Sequence, residues 1–350
     1  MKNILIKIIV PCLILVSNVT FAQFEFNNPS WYKGSYNKLF VKVGNSDDSY
    51  TKEIIKIIED NWLVCPVSFY TKNDIEPSNL IDGNLFLNVE RYSIDRQNVR
   101  QSENFGTTYG AVVSNDYYYL NFWVTDQKYD SKKDINDYKF SVCRAELYLK
   151  TIGMGEEELN TFQITPPNTN MLYEPRKERF LKNYDFSDSE FEQFYCNGMS
   201  GNIKNIIQYV NRHIASKKEK KLLESLRPNS EISKLKNDTL FVPNYWFGPG
   251  GTMLDKLPPN EKMYKLNVKY IDGLIKSYPY KIKLITRPEL NDMILNAKTD
   301  FYYLNYIQSS ADKIMSVVNG LTGEIIYSEV TKLSYRPKDK DFEAIGKAAK

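Results

Sequence analysis

The residue types that most often carry enzyme chemistry are sparse in this chain. His213 is its single histidine, so a Ser-His-Asp triad, a Cys-His pair or a histidine-based metal site would have to use it. It lies in VNRHIASKK, at the edge of an amphipathic helical pattern. An ordinary histidine at the boundary of a helix is the simpler interpretation, and the sequence predicts no catalytic residue.

The cysteines do not indicate a metal site either. Cys65, Cys143 and Cys196 show no Cys-x-x-Cys spacing, whereas structural zinc takes four ligands that come in closely spaced pairs. Cys65 and Cys143 lie in strand-like runs, which is typical of small buried hydrophobic residues, and Cys196 is the more exposed candidate thiol. The disulfide status of the three residues stays open. No metal site is predicted.

Glycine-rich and acidic stretches have simple structural explanations. The FGPGG run at Phe247–Gly251 lacks the Lys-Ser/Thr that follows in a phosphate-binding loop. Asp47-Asp48 and Glu156–Glu158 are carboxylates adjacent in sequence, whereas general acid and base pairs come from residues far apart. A helix N-cap explains the first pair and a solvated loop explains the second group. The sequence predicts no cofactor, and it favours a non-enzymatic protein while leaving an enzyme open.

The first 22 residues have the layout of a secretory signal peptide. Lys2 and Lys7 form a basic start, Ile8–Val16 is an apolar run, and Ala22 ends a plausible cleavage site. The apolar run is too short for a comfortable membrane span, and an uncleaved anchor or a buried first helix is the alternative. We therefore predict a secreted protein, periplasmic or associated with the outer membrane, with no transmembrane segment after cleavage.

Composition narrows the class of partner. The chain has 46 Lys and Arg against 43 Asp and Glu, a net charge of +3, so it lacks the electrostatic footprint of a nucleic-acid-binding protein. Cys12 lies inside the apolar run rather than after it, so lipidation is not predicted, although the state of Cys12 stays open. Abundant Lys and Asn together with the Ala-Gln junction are typical of a Bacteroidetes envelope protein.

Hydrophobic periodicity divides the mature chain into three parts. Residues 23–150 alternate strand and helix patterns and then form an antiparallel meander, which predicts a first α+β unit. Residues 151–235 begin as a Gly-, Pro- and Asn-rich loop and continue into a helix, which predicts a loop and helical linker. Residues 236–350 predict a second α+β unit. The predicted fold class is α+β, with two related units joined by the linker.

Two stretches of the chain share positions: SFYTKNDIEPSNLIDGNLFLNVERY and KLITRPELNDMILNAKTDFYYLNYI. Thr71 aligns with Thr286, and the Leu-Asn dipeptide at 87–88 aligns with that at 304–305 after a two-residue gap. Each stretch follows a strand and an amphipathic helix. Both threonines are predicted to cap a short helix, and Glu289 completes a capping box with Thr286. This repeated order supports an internal duplication.

The second unit ends with Asp300-Phe301-Tyr302-Tyr303 and a hairpin whose turn, Asn319–Glu324, is followed by Ile325-Ile326-Tyr327. In this order of elements, these residues resemble the CsgG family. That family includes the curli secretion channel lipoprotein and the penicillin-binding protein activator lipoproteins, and its fold is related to the N-terminal domain of TolB. The resemblance implies mixed sheets with helices on one face. Gly323 is expected to adopt a positive φ in the turn, beside the turn residue Glu324. Lipid anchoring and channel function are not carried over.

The resemblance and the lack of a catalytic motif favour a protein-binding accessory in envelope assembly or regulation. Its partner would be an envelope protein or a second copy of the chain. Tyr117, Tyr119, Phe122 and Trp123 form a candidate edge for the addition of a partner strand; core packing of the same aromatic residues is the alternative. The alternative function is a secreted hydrolase or carbohydrate-binding protein with an acidic site between the two units.

Overall fold

The protein is described by a computed structural model. The chain positions whose structure it describes are 24–27, 35–43, 49–71, 79–80, 83–102, 106–126, 134–152, 179–184, 197–216, 228–243, 271–309, 312–332, 334 and 337–350. For 91–102, 106–118, 136, 148–152, 179–184, 308–309 and 312 the description covers the backbone alone.

The first sheet is mixed and, in the described part of the chain, has seven strands. Their order is β3-β2-β4-β5-β6-β1, and β7 pairs with β4 beside β2. β2 runs parallel to β3 and β4, and the other pairings are antiparallel. The strands are β1 (Phe24–Phe26), β2 (Lys38–Lys42), β3 (Val67–Tyr70), β4 (Asn84–Ser102), β5 (Gly106–Thr125), β6 (Lys139–Ile152) and β7 (Arg179–Tyr184).

The second sheet repeats the central part of this topology with five described strands, in the order β9-β8-β10-β11-β12. β8 runs parallel to β9 and β10, and the remaining pairings are antiparallel. Two mixed sheets of the same order make the protein an α+β fold with two similar units, as predicted. The strands are β8 (Leu240–Pro243), β9 (Ile282–Ile285), β10 (Tyr302–Ser309), β11 (Asp312–Asn319) and β12 (Ile325–Thr331).

The helices occupy equivalent places in the two units. Residues 271–277 are helical before β9, as α1 is before β3, and α2 and α4 follow the last strand of the two meanders. Short 3-10 helices lie at Ile135–Tyr138 and Ser230–Lys236. The α-helices are α1 (Ser49–Asn61), α2 (Ser200–Ser216), α3 (Arg287–Leu295) and α4 (Asp339–Ala348).

Strand pairing aligns the two sheets residue by residue. Leu39 of β2 pairs with Leu85 of β4, and Leu240 of β8 pairs with Tyr302 of β10. Both β2 and β8 read Leu-Phe-Val from these leucines onward. Two residues further along β4 and β10 stand the two Leu-Asn dipeptides that the sequence comparison aligned. The shared register supports the predicted duplication with an observation independent of residue identity.

The helix caps follow from local sequence. Thr286 begins α3 as its N-cap: its hydroxyl accepts from Glu289 N (3.4 Å), and the Glu289 carboxylate accepts from Thr286 N (2.9 Å). This reciprocal arrangement is the capping box expected from the sequence. Thr71 follows β3 as Thr286 follows β9, and the helix that it was predicted to cap lies outside the described residues.

The predicted linker is integrated into the fold rather than simply connecting the units. The loop expected after residue 150 contains β7, which pairs with β4, so that part of the prediction is wrong. α2 packs on α1 through a hydrogen bond from Gln208 to Asn61 (3.0 Å), and on α3 through one from Gly201 N to Asn291 (2.8 Å). One hydrophobic core includes side chains of both sheets and of all four α-helices. α2 therefore joins the units by being buried between them.

The segment that would begin the mature chain also reaches α2. Phe24 and Phe26 of β1 are 3% and 4% exposed, and β1 pairs with β6. The Phe24 ring lies 4.5 Å from that of Tyr209, and the Phe26 ring lies 5.0 Å from that of His213. His213 is thus a helix residue stacked on an aromatic ring, in agreement with a structural role.

Candidate functional site

The predicted partner edge is not an edge. From Ser114 to Trp123, the stretch that contains all four predicted edge residues, β5 pairs with β4 on one side and β6 on the other. Tyr119, Phe122 and Trp123 are 3%, 0% and 1% exposed, and the backbone of Tyr117 pairs on both sides. The prediction of strand addition here is therefore wrong. An aromatic and β-branched run fits a central strand with two packed faces better than it fits an edge.

Two of these residues, Tyr119 and Trp123, belong to a largely buried group of polar and aromatic side chains, which we call the acid–aromatic cluster: Phe86, Asn88, Glu90, Tyr119, Asn121, Trp123, Lys139, Arg144 and Glu146. The cluster extends across β4, β5 and β6, because Glu90 pairs with Tyr119 and Tyr119 pairs with Glu146. The Phe86 and Trp123 rings stack at 4.3 Å. The cluster lies within the first unit, whereas the predicted acidic site was placed between the units.

Each carboxylate of the acid–aromatic cluster is held by a cation. Glu90 accepts from Tyr119 Oη (2.8 Å) and pairs with Lys139 (3.4 Å), and Glu146 accepts from Arg144 Nε (2.6 Å). The Arg144 guanidinium also lies 3.8 Å from the centre of the Tyr119 ring. Burial, together with the negative charge of Glu90, raises the pKa of Tyr119 far above its usual value, so this phenol stays protonated. These contacts tie β4, β5 and β6 together.

The sequence signal for this cluster was present but ambiguous. Polar residues alternate with apolar ones in NLFLNVE and VCRAEL, as in any half-exposed strand. The exposures of Asn88, Glu90 and Glu146 are 2%, 6% and 2%. Period-two alternation assigns such residues to one face, but it does not say whether that face is covered.

The prediction that Cys65 and Cys143 are buried is met by Cys143 and only partly met by Cys65. Cys143 is buried, Cys65 is partly buried, and neither forms a disulfide; burial raises the pKa of the Cys65 thiol. Cys196, the FGPGG run and both carboxylate groups lie outside the described residues. Within the part of the chain that is described, no three His, Cys, Asp or Glu side chains converge as metal ligands would.

The turn before β12 takes the predicted form. Gly323 has a φ of 70°, a conformation that favours glycine. The turn packs on α2: Arg212 donates to Thr322 O (2.7 Å) and pairs with Glu324 (2.8 Å). Glu324 therefore contributes an ion pair between the units in addition to its place in the turn.

A small cavity lies where α2 meets the second sheet. Its polar lining comes mainly from four buried asparagines, which are supplied by the loop before α2, by α2 itself and by β10: Asn197, Asn202, Asn205 and Asn305. Phe24, Ile206 and Val318 supply part of the apolar lining. The sequence did not predict this site, because its residues come from distant segments.

Two sheet edges differ in charge. β3 and β9 occupy the same place, each pairing among the described strands with the parallel strand β2 or β8 alone. β3 reads VSFY and has no charged residue, whereas β9 reads IKLI and follows Lys281. Leu63, shortly before β3, is 81% exposed, and it is the large hydrophobic side chain that stands out as exposed in the described structure. The uncharged edge of β3 is therefore a candidate binding surface.

Comparison with known proteins adds no identification: no family model, no curated protein and no solved structure matches this chain. The resemblance to the CsgG family accordingly stays a prediction. Among the residues with described structure, no helix has both the length and the apolar character that crossing a membrane requires.

Proposed function

We propose that this chain is a non-enzymatic, secreted protein of the periplasm or outer membrane that binds another polypeptide during envelope assembly or its regulation. The partner is an extended segment that adds to the edge of β3 on which no described strand pairs. The N-terminal signal sequence supports export, and the resemblance to the CsgG family supports an envelope role. The observation that carries the binding proposal is the uncharged β3 edge, and the exposed Leu63 lies four residues before it in the sequence.

The groups available for pairing on β3 follow from its hydrogen bonds with β2. Pro66 O accepts from Leu39 N of β2 (2.8 Å), and Tyr70 O accepts from the N–H of Val43, the residue directly after β2 (2.9 Å). Because backbone groups alternate in direction along a strand, those of Val67 and Phe69 point away from β2. An added strand would form backbone hydrogen bonds with these two residues. Such bonds do not depend on the sequence of the partner.

The difference in charge between the β3 and β9 edges occurs at equivalent positions of the two units. Phe40 pairs with Ser68, and Phe241 pairs with Lys283, so Ser68 and Lys283 hold the same register position. A lysine in an edge strand discourages pairing with other chains. The second unit has this protection and the first unit lacks it.

A proline at Val67 is expected to abolish partner capture. Val67→Pro removes an outward N–H without removing a bond to β2, and proline is tolerated at the first residue of a strand. The matched control is Ile282→Pro, because Ile282 pairs with Leu240 as Val67 pairs with Leu39. Wild type and both variants, checked for folding by circular dichroism, would be cross-linked in the envelope of the native cell and purified.

The proposal expects one partner to be retained by wild type and Ile282→Pro and to be lost by Val67→Pro. Hydrogen exchange of the purified complex should then show new protection at Val67 and Phe69. Equal retention by all three proteins, or protection elsewhere, contradicts the β3 assignment. Light scattering of the free protein distinguishes a second copy from another envelope protein as the partner.

The proposal that the protein is exported predicts where its mature N-terminus lies. Cleavage after Ala22 should leave Gln23 as the first residue, directly before β1. Intact-mass spectrometry of protein recovered from periplasmic and outer-membrane fractions measures this. A cytosolic protein that retains residues 1–22 would overturn the export proposal and would leave the β3 experiment unaffected.

A further inference from the structure

The cavity at the junction of the two units lies between two chains of hydrogen bonds. On the side of the first unit, Asn202 donates to Asn197 (3.2 Å), and Asn197 donates to Leu147 O of β6 (3.1 Å). On the side of the second unit, Tyr303 of β10 donates to Asn205 (3.1 Å), and Asn205 is on α2. The polar lining of the cavity therefore connects strands of both sheets.

Asn305 supplies a polar atom of the cavity lining that these chains do not satisfy. It is 4% exposed and lines the cavity, and its Oδ1 has no hydrogen-bond donor among the described residues. A buried amide oxygen without a donor is unfavourable, and most such atoms in folded proteins are bonded to protein or to ordered water. The cavity has room for about one water molecule.

We infer that this cavity binds one ordered water molecule, which donates a hydrogen bond to Asn305 Oδ1 and bonds to the neighbouring asparagine amides. A polar lining with several partners is what holds a buried water, whereas an apolar cavity of this size stays dry. The site hydrates the contact between α2 and the second sheet. It is independent of the binding proposal, since it involves no residue of β3.

Asn88 provides a matched comparison, because it occupies the same register position in the first sheet. With its amide oriented to suit its neighbours, Asn88 accepts from Trp123 Nε1 (3.2 Å) and donates to Leu87 O (2.9 Å). Protein groups thus satisfy Asn88, whereas a water molecule satisfies Asn305. Replacing each asparagine by leucine in a separate variant distinguishes an amide satisfied by protein groups from one satisfied by water.

The test combines a crystal structure with unfolding measurements. A structure at about 1.5 Å resolution should show a water peak within about 3.2 Å of Asn305 Oδ1. In Asn305→Leu the peak should vanish, and the midpoint of urea unfolding should fall by less than in Asn88→Leu, because the Asn305 oxygen leaves together with its water. Asn88→Leu should lower the midpoint more, because it leaves the Trp123 N–H without its acceptor.

A wild-type map with no density in the cavity, or with a protein donor moved onto Asn305, overturns the inference. So does a loss of stability in Asn305→Leu that equals or exceeds that of Asn88→Leu. The wild-type map decides the matter alone if a variant does not fold.

Discussion

Replacing Asp341 by alanine is expected to lower the free energy of unfolding by about 3–5 kcal/mol, the usual effect of breaking a buried ion pair. Asp341 lies in α4 and pairs with Lys313 of β11, whose side chain is 0% exposed. Asp341 also accepts from Lys338 N (2.5 Å). The alanine variant therefore leaves a buried ammonium without its carboxylate, and it removes the contact that fixes the start of α4.

The size of this effect should depend on pH. Burial lowers the pKa of Lys313, and Asp341 opposes that change. When the folded pKa lies below the unfolded one, the unfolded chain binds more protons in the interval between them, so stability rises with pH across it. Asp341→Ala lowers the folded pKa further and widens the interval. The deficit at neutral pH should shrink at about pH 9.5, nearer the ordinary pKa of lysine.

Urea unfolding of wild type and Asp341→Ala at the two pH values measures both effects. Glu343→Ala is the matched control, because Glu343 lies in the same helix and pairs with Lys347 at 4.0 Å with both side chains largely exposed. Such a surface pair contributes about 0–1 kcal/mol. An Asp341 variant no less stable than this control, or a deficit that does not vary with pH, would contradict the assignment of a stabilising buried pair.

Local features of the fold were predictable from the sequence. The capping box of Thr286 and Glu289 requires residues three positions apart, and the positive φ of Gly323 is a property of one turn. Apart from β1 and β7, the order of the described strands followed from hydrophobic periodicity. The alignment of Thr71 with Thr286 was also accessible, because each threonine directly follows its strand, β3 or β9.

Features that depend on distant segments were not predictable. Lys313 reads as an ordinary strand lysine, and its burial depends on a carboxylate in a helix 28 positions later. Tyr119 and Trp123 gave the pattern of a strand but not its place in the sheet, which is set by pairing with both β4 and β6. The junction cavity required α2 to insert between the units. The sequence alone predicted α2 only as part of a linker between the units.

Gly323→Ala is expected to lower the free energy of unfolding by about 3 kcal/mol, through two additive causes. The left-handed backbone costs a residue with a side chain about 1–2 kcal/mol, and overpacking costs about 1–3 kcal/mol. A Cβ at this position would lie 2.4 Å from Asn205 O and 2.9 Å from Asn205 Cα. Because these atoms belong to the backbone of α2, the turn must move away from the helix.

That movement should loosen the contact between the two units rather than the turn alone. It would weaken the hydrogen bond from Asn205 to Gly320 O (3.1 Å) and that from Arg212 to Thr322 O (2.7 Å). Hydrogen exchange of the variant should therefore be faster along α2 as well as in the turn. Gly273→Ala is the matched control, since Gly273 is in a helical stretch and its nearest obstacle is Asp339 Oδ1 at 3.8 Å. Alanine there should be neutral or stabilise by up to about 1 kcal/mol. If Gly323→Ala unfolds at the same urea concentration as this control and leaves exchange in α2 unchanged, the turn does not hold the units together.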